Sequence, residues 1–165
     1  MRRQVEYHLV QARAAASGAT SNARCPIAAS AEGLIRTMRR LHADRGLVLH
    51  MSVPPDHVVR VQREDLDEML GNLLDNACQW ARSRIVIESS LSDGGIVITV
   101  DDDGPGLAGA MCDRVLQRGV RADEAAPGSG LGLSIVRDLA ELYAGTITLG
   151  RAPAGGLRAR LELPA

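Results

Sequence analysis

Residues 68–80, EMLGNLLDNACQW, decide the fold, because they lie inside the strongest helical pattern of the chain. From Arg63 to Ala81, the residues Leu66, Met69, Leu70, Leu73, Leu74 and Ala77 recur at three- and four-residue spacing and predict one apolar helix face. Glu68, Asn72 and Asn76 stand four residues apart away from that face, so they line a single polar stripe. Asparagine is a mediocre helix former, and two of them at this spacing ask for a use of their amides. Amide oxygens can ligate a hard cation such as Mg²⁺, which also takes phosphate oxygens from a nucleotide. Taken alone, the stripe is read equally well as a solvated face.

Outward from this helix, the pattern changes to strands. Residues 84–91 and 95–102 predict two strands joined by a turn at Ser92-Asp93-Gly94-Gly95. Residues 146–150 and 157–163 predict two more, after a helix over 131–143 that Gly145 stops. On the N-terminal side, 47–53 and 58–61 predict strands around a Pro54-Pro55-Asp56 turn. Ser30 is placed to cap a helix with the stripe Leu34, Ile35, Met38 and Leu41, ending at Asp44-Arg45-Gly46. Residues 2–16 predict a further helix through Val5, Leu9 and Ala12, and 17–29 a small, polar linker. Residues 104–128 hold no lasting pattern beyond a helical turn or two at 110–117. Strands and helices do not alternate singly, which indicates an α+β sandwich rather than a doubly wound sheet.

Composition narrows the function classes. The chain has 165 residues with a formal net charge of −1, no Phe, one Trp and two Tyr, so Leu, Ile, Val and Ala must build the core. The charge balance excludes a protein held on nucleic acid mainly by phosphate contacts. Cys25, Cys78 and Cys112 are scattered, with no CxxC pair, so neither a zinc site nor a disulfide framework is expected. Cys78 is expected to be a small core residue, and a reducing compartment fits. No signal peptide is visible and no apolar run reaches the roughly 18 residues of a membrane span.

Two further segments carry chemistry. Val100-Asp101-Asp102-Asp103-Gly104-Pro105-Gly106-Leu107 follows a strand directly. A carboxylate there, with glycines letting backbone approach, can accept a hydrogen bond from an exocyclic amine such as adenine's. Pro127-Gly128-Ser129-Gly130-Leu131-Gly132-Leu133-Ser134 opens a helix, and free N–H groups at a helix start cradle anions. It is not a P-loop, because the Gly-Lys-Ser/Thr ending is missing.

In this order, NLLDNA, DDDGPGL and GSGLGLSIV resemble the N, G1 and G2 boxes of sensor histidine kinases. Those kinases belong to a wider ATPase superfamily that includes gyrase and the Hsp90 chaperones. REDLDEMLGNLLDNA and the run Arg-Gly-x-Arg-Ala-Asp look most like the PhoQ-like group, and the resemblance runs from Ser30 to Leu163. It implies the Bergerat ATP-binding fold, a two-layer α/β sandwich with a mixed sheet backed by helices. It also implies ATP and Mg²⁺ as cofactors, with an ATP lid over about 107–128 and the catalytic domain over 30–165.

Residue by residue, the resemblance assigns phosphate and metal binding to Asn72 and Asn76, and adenine recognition to Asp102, with Gly104, Gly106 and Leu107 beside it. Asp101 is then a neighbouring surface acid. Gly128, Ser129, Gly130, Leu131, Gly132 and Leu133 correspond to the lid hinge and the phosphate-facing helix start. Glu68 stands where related kinases place an acid that assists proton removal or orients the acceptor histidine. Two positions depart from the family. The usual Lys is Gln79, followed by the aromatic Trp80, and the phenylalanine of the family's F box is replaced, with Leu116 as occupant. Loss of that cation is expected to weaken a triphosphate site by about 1–3 kcal/mol, with Arg118 or Arg121 compensating.

No acceptor box resembling His-Glu-Leu-Arg-Thr-Pro occurs: His8 lies on the first helix with neither the flanks nor the position of one, and His42, His50 and His57 read as ordinary surface or helix-end residues. Residues 2–16 resemble the end of a dimerisation helix, so the acceptor histidine is expected upstream of Met1. The partners implied are ATP, a histidine-bearing dimerisation domain, and a response regulator. The full-length protein is expected to be a homodimeric membrane sensor with this part in the cytoplasm. A superfamily ATPase, a degenerate nucleotide-sensing module and a plain interaction domain are the competing readings. The ATPase relatives use a glutamate base where this chain has Asn72.

Overall fold

The computed structural model describes residues 22–117 and 132–165. Strand β1 (Cys25–Pro26) leads into helix α1 (Ile27–Leu41), a 3-10 turn (Ala43–Arg45), β2 (Val48–Ser52), β3 (Val58–Val59) and α2 (Arg63–Trp80). Then come β4 (Arg84–Ser92), β5 (Gly95–Asp102), α3 (Gly109–Arg114), α4 (Gly132–Leu142), β6 (Thr146–Arg151) and β7 (Leu157–Pro164). Five strands form one sheet in the order β2-β4-β5-β7-β6, with β2 parallel to β4 and every other pairing antiparallel. β1 and β3 pair separately. The expected mixed α+β sheet backed by helices is what forms.

Strand periodicity explains the layering. β7 buries Leu157, Ala159, Leu161 and Leu163 and turns Arg158, Arg160 and Glu162 the other way. Its buried row sits opposite Ile96, Ile98 and Val100 of β5, which in turn stand beside Ile85 and Ile87 of β4. The helices cover this face, with Ile27, Ala31, Ile35 and Met38 of α1, the predicted apolar row of α2, and Val136, Leu139 and Ala140 of α4 completing one cluster. Complete burial of an Ile or Leu stabilises by about 1.5–3 kcal/mol, so the α2 row is a main anchor of the fold. The opposite sheet face carries charge, including a two-pronged pair from Arg158 Nε and Nη2 to Asp101 at 2.8 and 2.6 Å.

Several expectations need correction. α1 starts at Ile27 rather than at a Ser30 cap, because pairing of β1 with β3 lets the Ile27 N–H bond to the His57 carbonyl at 3.0 Å. Ser30 is buried against Cys25, so the end of the 17–29 stretch read as linker is strand and helix. Leu41, assigned to the apolar stripe, is 66% exposed, because the helix ends there and the chain turns away. Asp101 is not a surface acid but a buried one, paired by β7. His57 is likewise buried, with Nδ1 2.7 Å from Ser89 Oγ. The helix predicted for 2–16 lies outside the described residues.

Candidate functional site

The site is assembled where α2 crosses the end of β5. α2 presents Glu68, Asn72, Asn76, Gln79 and Trp80 away from the core, and all but the exposed Glu68 are half-buried. Asn72 Nδ2 donates to the Glu68 carbonyl at 2.8 Å and lies 3.4 Å from Glu68 Oε1, bonds that the four-residue spacing makes possible. With the amide nitrogen so engaged, the Asn72 side-chain oxygen faces the first residue of α4: a Cβ on Gly132 would lie 3.1 Å from it. Gln79 Nε2 donates to Asp75 Oδ2 at 3.0 Å, and Asp75 Oδ1 lies 3.2 Å from His42 Nε2. The Gln79 amide is thus tied to a carboxylate.

Asp102 is 3% exposed and faces the core side of the sheet's end. Its Oδ1 accepts the Gly104 N–H at 2.8 Å and the Leu157 N–H at 3.2 Å. Burial pushes its carboxyl above the ordinary 3.8, opposed by those two N–H groups and reinforced by neighbouring Asp103 and Asp101. Both of these backbone bonds go to Oδ1, not to Oδ2. Backbone crowds this turn so closely that side chains are excluded. A Cβ on Gly104 would overlap the Trp80 carbonyl oxygen, and one on Gly156 would overlap Asp102 itself. Gly106 adopts φ +70°, with the Gly155 carbonyl 3.1 Å from where a Cβ would be.

Gly155, Gly156 and the Leu157 N–H, from the β6–β7 connection, were missed by sequence reasoning. The adjacent pair Gly155-Gly156 just before an alternating strand was the available signal, but only the sheet order brings it onto Asp102. Leu107 is half-buried after the turn, and Leu133 packs on the core beside Gly132. Leu116, read as the occupant of the F-box position, is buried in the core cluster. Arg118, Arg121, Gly128, Ser129, Gly130 and Leu131 lie outside the described residues. Burial and nearby Asp75 raise the Cys78 thiol to about 11, consistent with an inert core residue. Among the described residues no helix is long and apolar enough to cross a membrane, and no group of three His, Cys, Asp or Glu could hold a metal.

Comparison with known proteins agrees with this fold. Residues 61–165 match the family described as histidine kinase-, DNA gyrase B-, and HSP90-like ATPase. The sensor protein kinase CarS of Pseudomonas aeruginosa is 47% identical over 131 residues, covering 79% of this chain and 29% of that protein. The virulence sensor histidine kinase PhoQ of Salmonella typhimurium is 33% identical over 156 residues, covering 94% of this chain and 32% of that protein. This chain therefore spans about a third of the length of these curated relatives. The mycobacterial sensor histidine kinase MprB superimposes with a TM-score of 0.77 at 25% identity, over 86% of this chain and 96% of the other. The catalytic domain of histidine kinase ThkA shares the fold, with a TM-score of 0.78 at 18% identity over 86% of this chain and 94% of that one. The chain belongs to the histidine kinase-, DNA gyrase B- and HSP90-like ATPase family, and within it to the catalytic domains of sensor histidine kinases.

Proposed function

We propose that this chain holds Mg-ATP and passes its γ-phosphoryl group to a histidine on a separate dimerisation domain. The carrying observation is Asp102: a buried carboxylate with one oxygen fixed by two backbone N–H groups, at the foot of a helix that presents two asparagines on one face. Asp102 Oδ2 accepts the exocyclic amine of adenine, and Trp80 flanks the base. The α2 stripe and the N-terminus of α4 receive the phosphates, where helix N–H groups favour anions.

The residues present suit a hard cation. Asn72 has its nitrogen engaged and its oxygen available, so amide oxygens, phosphates and water would complete the coordination. Bound there, Mg²⁺ supplies charge neutralisation for the phosphates. Asn72 and Asn76 hold and orient, and Glu68, exposed one turn before Asn72, orients or deprotonates the incoming imidazole. In transfer, the γ-phosphorus loses its bond to the bridging oxygen of ADP and gains one to the imidazole nitrogen. Arg118 and Arg121 are assigned to the phosphates, and Gly128, Ser129, Gly130 and Leu131 to the lid hinge. Residues 1–16 are read as the end of a dimerisation helix. A response regulator is the onward partner, and the whole protein is read as a membrane sensor and homodimer with this part in the cytoplasm.

A nucleotide-sensing module without transfer is the second reading, favoured by Gln79 being held on Asp75 where the family carries a cation. The two separate on adding γ-labelled ATP and a purified histidine-hairpin domain in trans. Acid-labile label on the hairpin supports transfer, whereas nucleotide binding without label supports sensing.

A further inference from the structure

The two ends of the site lie on different elements: Asp102 on β5, and Asn72, Asn76 and Gln79 on α2, whose last residue, Trp80, lies at the base end. Their separation depends on whatever fixes the last turn of α2 against the end of β5. One side chain supplies three hydrogen bonds to this junction. Asp103 Oδ1 accepts the N–H groups of Arg82 at 2.8 Å and Ser83 at 3.0 Å, and Oδ2 accepts the Ser83 hydroxyl at 2.6 Å. These three bonds hold the loop that follows Trp80, and the next residue, Gly104, packs its backbone on the Trp80 carbonyl. From the other side, Arg45 donates to the carbonyls of Cys78 at 2.9 Å and Ala81 at 2.6 Å. α2 has no basic residue of its own in its last turn, so Arg45 supplies the cation at the negative end of the helix dipole.

We propose that Asp103 is a positioning residue for the nucleotide: by clasping the loop after α2 it sets the span between the base-binding and phosphate-binding ends. This rests on the nucleotide reading above. A nucleoside diphosphate spans both ends, whereas adenosine reaches only the base end, at Asp102 and Trp80. Displacing a binding group by about 1 Å can cost on the order of a hundredfold, so a loosened clasp is felt where both ends must be met at once. Burial opposes ionisation of Asp103, but hydrogen bonds from Ser83 and from the Arg84 and Arg82 N–H groups outweigh it and hold the carboxyl at about 2. The clasp is therefore charged at any working pH. The position directly follows Asp102, so the residue reading the base and the residue fixing the helix share one turn.

The test compares wild type with Asp103→Ala, Asp103→Asn and Ser83→Ala, titrated with adenosine and with Mg-ADP. Trp80, the chain's single tryptophan, serves as the fluorescent reporter. Asp103→Ala is expected to lose about tenfold or more in Mg-ADP affinity and less than about threefold for adenosine. Its unliganded Trp80 emission should also shift. Asp103→Asn should recover most of the Mg-ADP affinity, because its amide oxygen still accepts both backbone N–H groups and its nitrogen can donate to Ser83 Oγ. Ser83→Ala, which loses one of three bonds, should lose about threefold for Mg-ADP alone. Should Asp103→Ala fail to fold, the same split is read from Ser83→Ala. Equal losses for the two ligands, or no loss, overturn the positioning role. A wild type that binds neither ligand overturns the nucleotide reading itself, and this inference with it.

Discussion

The end of this site assigned to the base and the end assigned to the phosphates are built differently. At the first, backbone does the work: Asp102 is fixed by N–H groups from its own turn and from β7, and the glycines around it leave no room for side chains. At the second, half-buried side chains on one helix do it, and two of them are bonded to residues of the same helix: Asn72 to Glu68 and Gln79 to Asp75. The first end is therefore set by backbone as the chain folds, whereas the second rests on side chains whose bonds within the helix a ligand has to exchange for its own.

The hardest blow to that contrast is at Asp102. Asp102→Ala should lower the affinity for adenosine and for Mg-ADP alike by on the order of a hundredfold in calorimetry, the value of a buried charge-assisted bond. Adenosine affinity that survives would break the comparison at its rigid end. Next comes Gly156→Ala, whose Cβ would overlap the Asp102 carbonyl and carboxylate. Overpacking of this kind costs about 1–3 kcal/mol, and it should appear both in thermal unfolding and as weaker adenosine binding. Asn76→Ala belongs to the other end, so it should leave adenosine binding unchanged, reduce Mg-ADP affinity about tenfold and blunt its Mg²⁺ dependence.

A smaller effect sharpens the phosphate end. Gln79→Lys restores a cation, but Asp75 stands ready to pair with it, so the gain in Mg-ATP affinity should stay below about tenfold. Asp75→Asn combined with Gln79→Lys should gain more. The smallest effect concerns acid stability. Asp103 is held at about 2 against an ordinary 3.8, so its contribution is fully present above 3.8 and disappears as pH falls towards 2. Asp103→Asn should therefore flatten the acid end of the stability curve, read from denaturant melts between those values.

Much of this was legible in the sequence because it is periodic. The α2 apolar row, the β4–β5 hairpin and the alternating β7 follow directly from residue spacing, and the side-chain stripe Glu68, Asn72, Asn76 falls out of the same helix. What was not legible depends on contacts between distant segments. The α1 start at Ile27 needs the His57 carbonyl, and burial of Asp101 needs Arg158 across the sheet. The Gly155-Gly156 wall needs the sheet order to bring β7 beside β5. Short polar or glycine pairs have no period of their own, so only the pairing partner reveals their role.

In the proposed function a nucleotide bridges these two ends. Calorimetry of the chain with ADP or a non-hydrolysable ATP analogue, with and without Mg²⁺, tests it most directly. Measurable binding that tightens when Mg²⁺ is added is expected. No binding at millimolar ligand, with or without the cation, would contradict it.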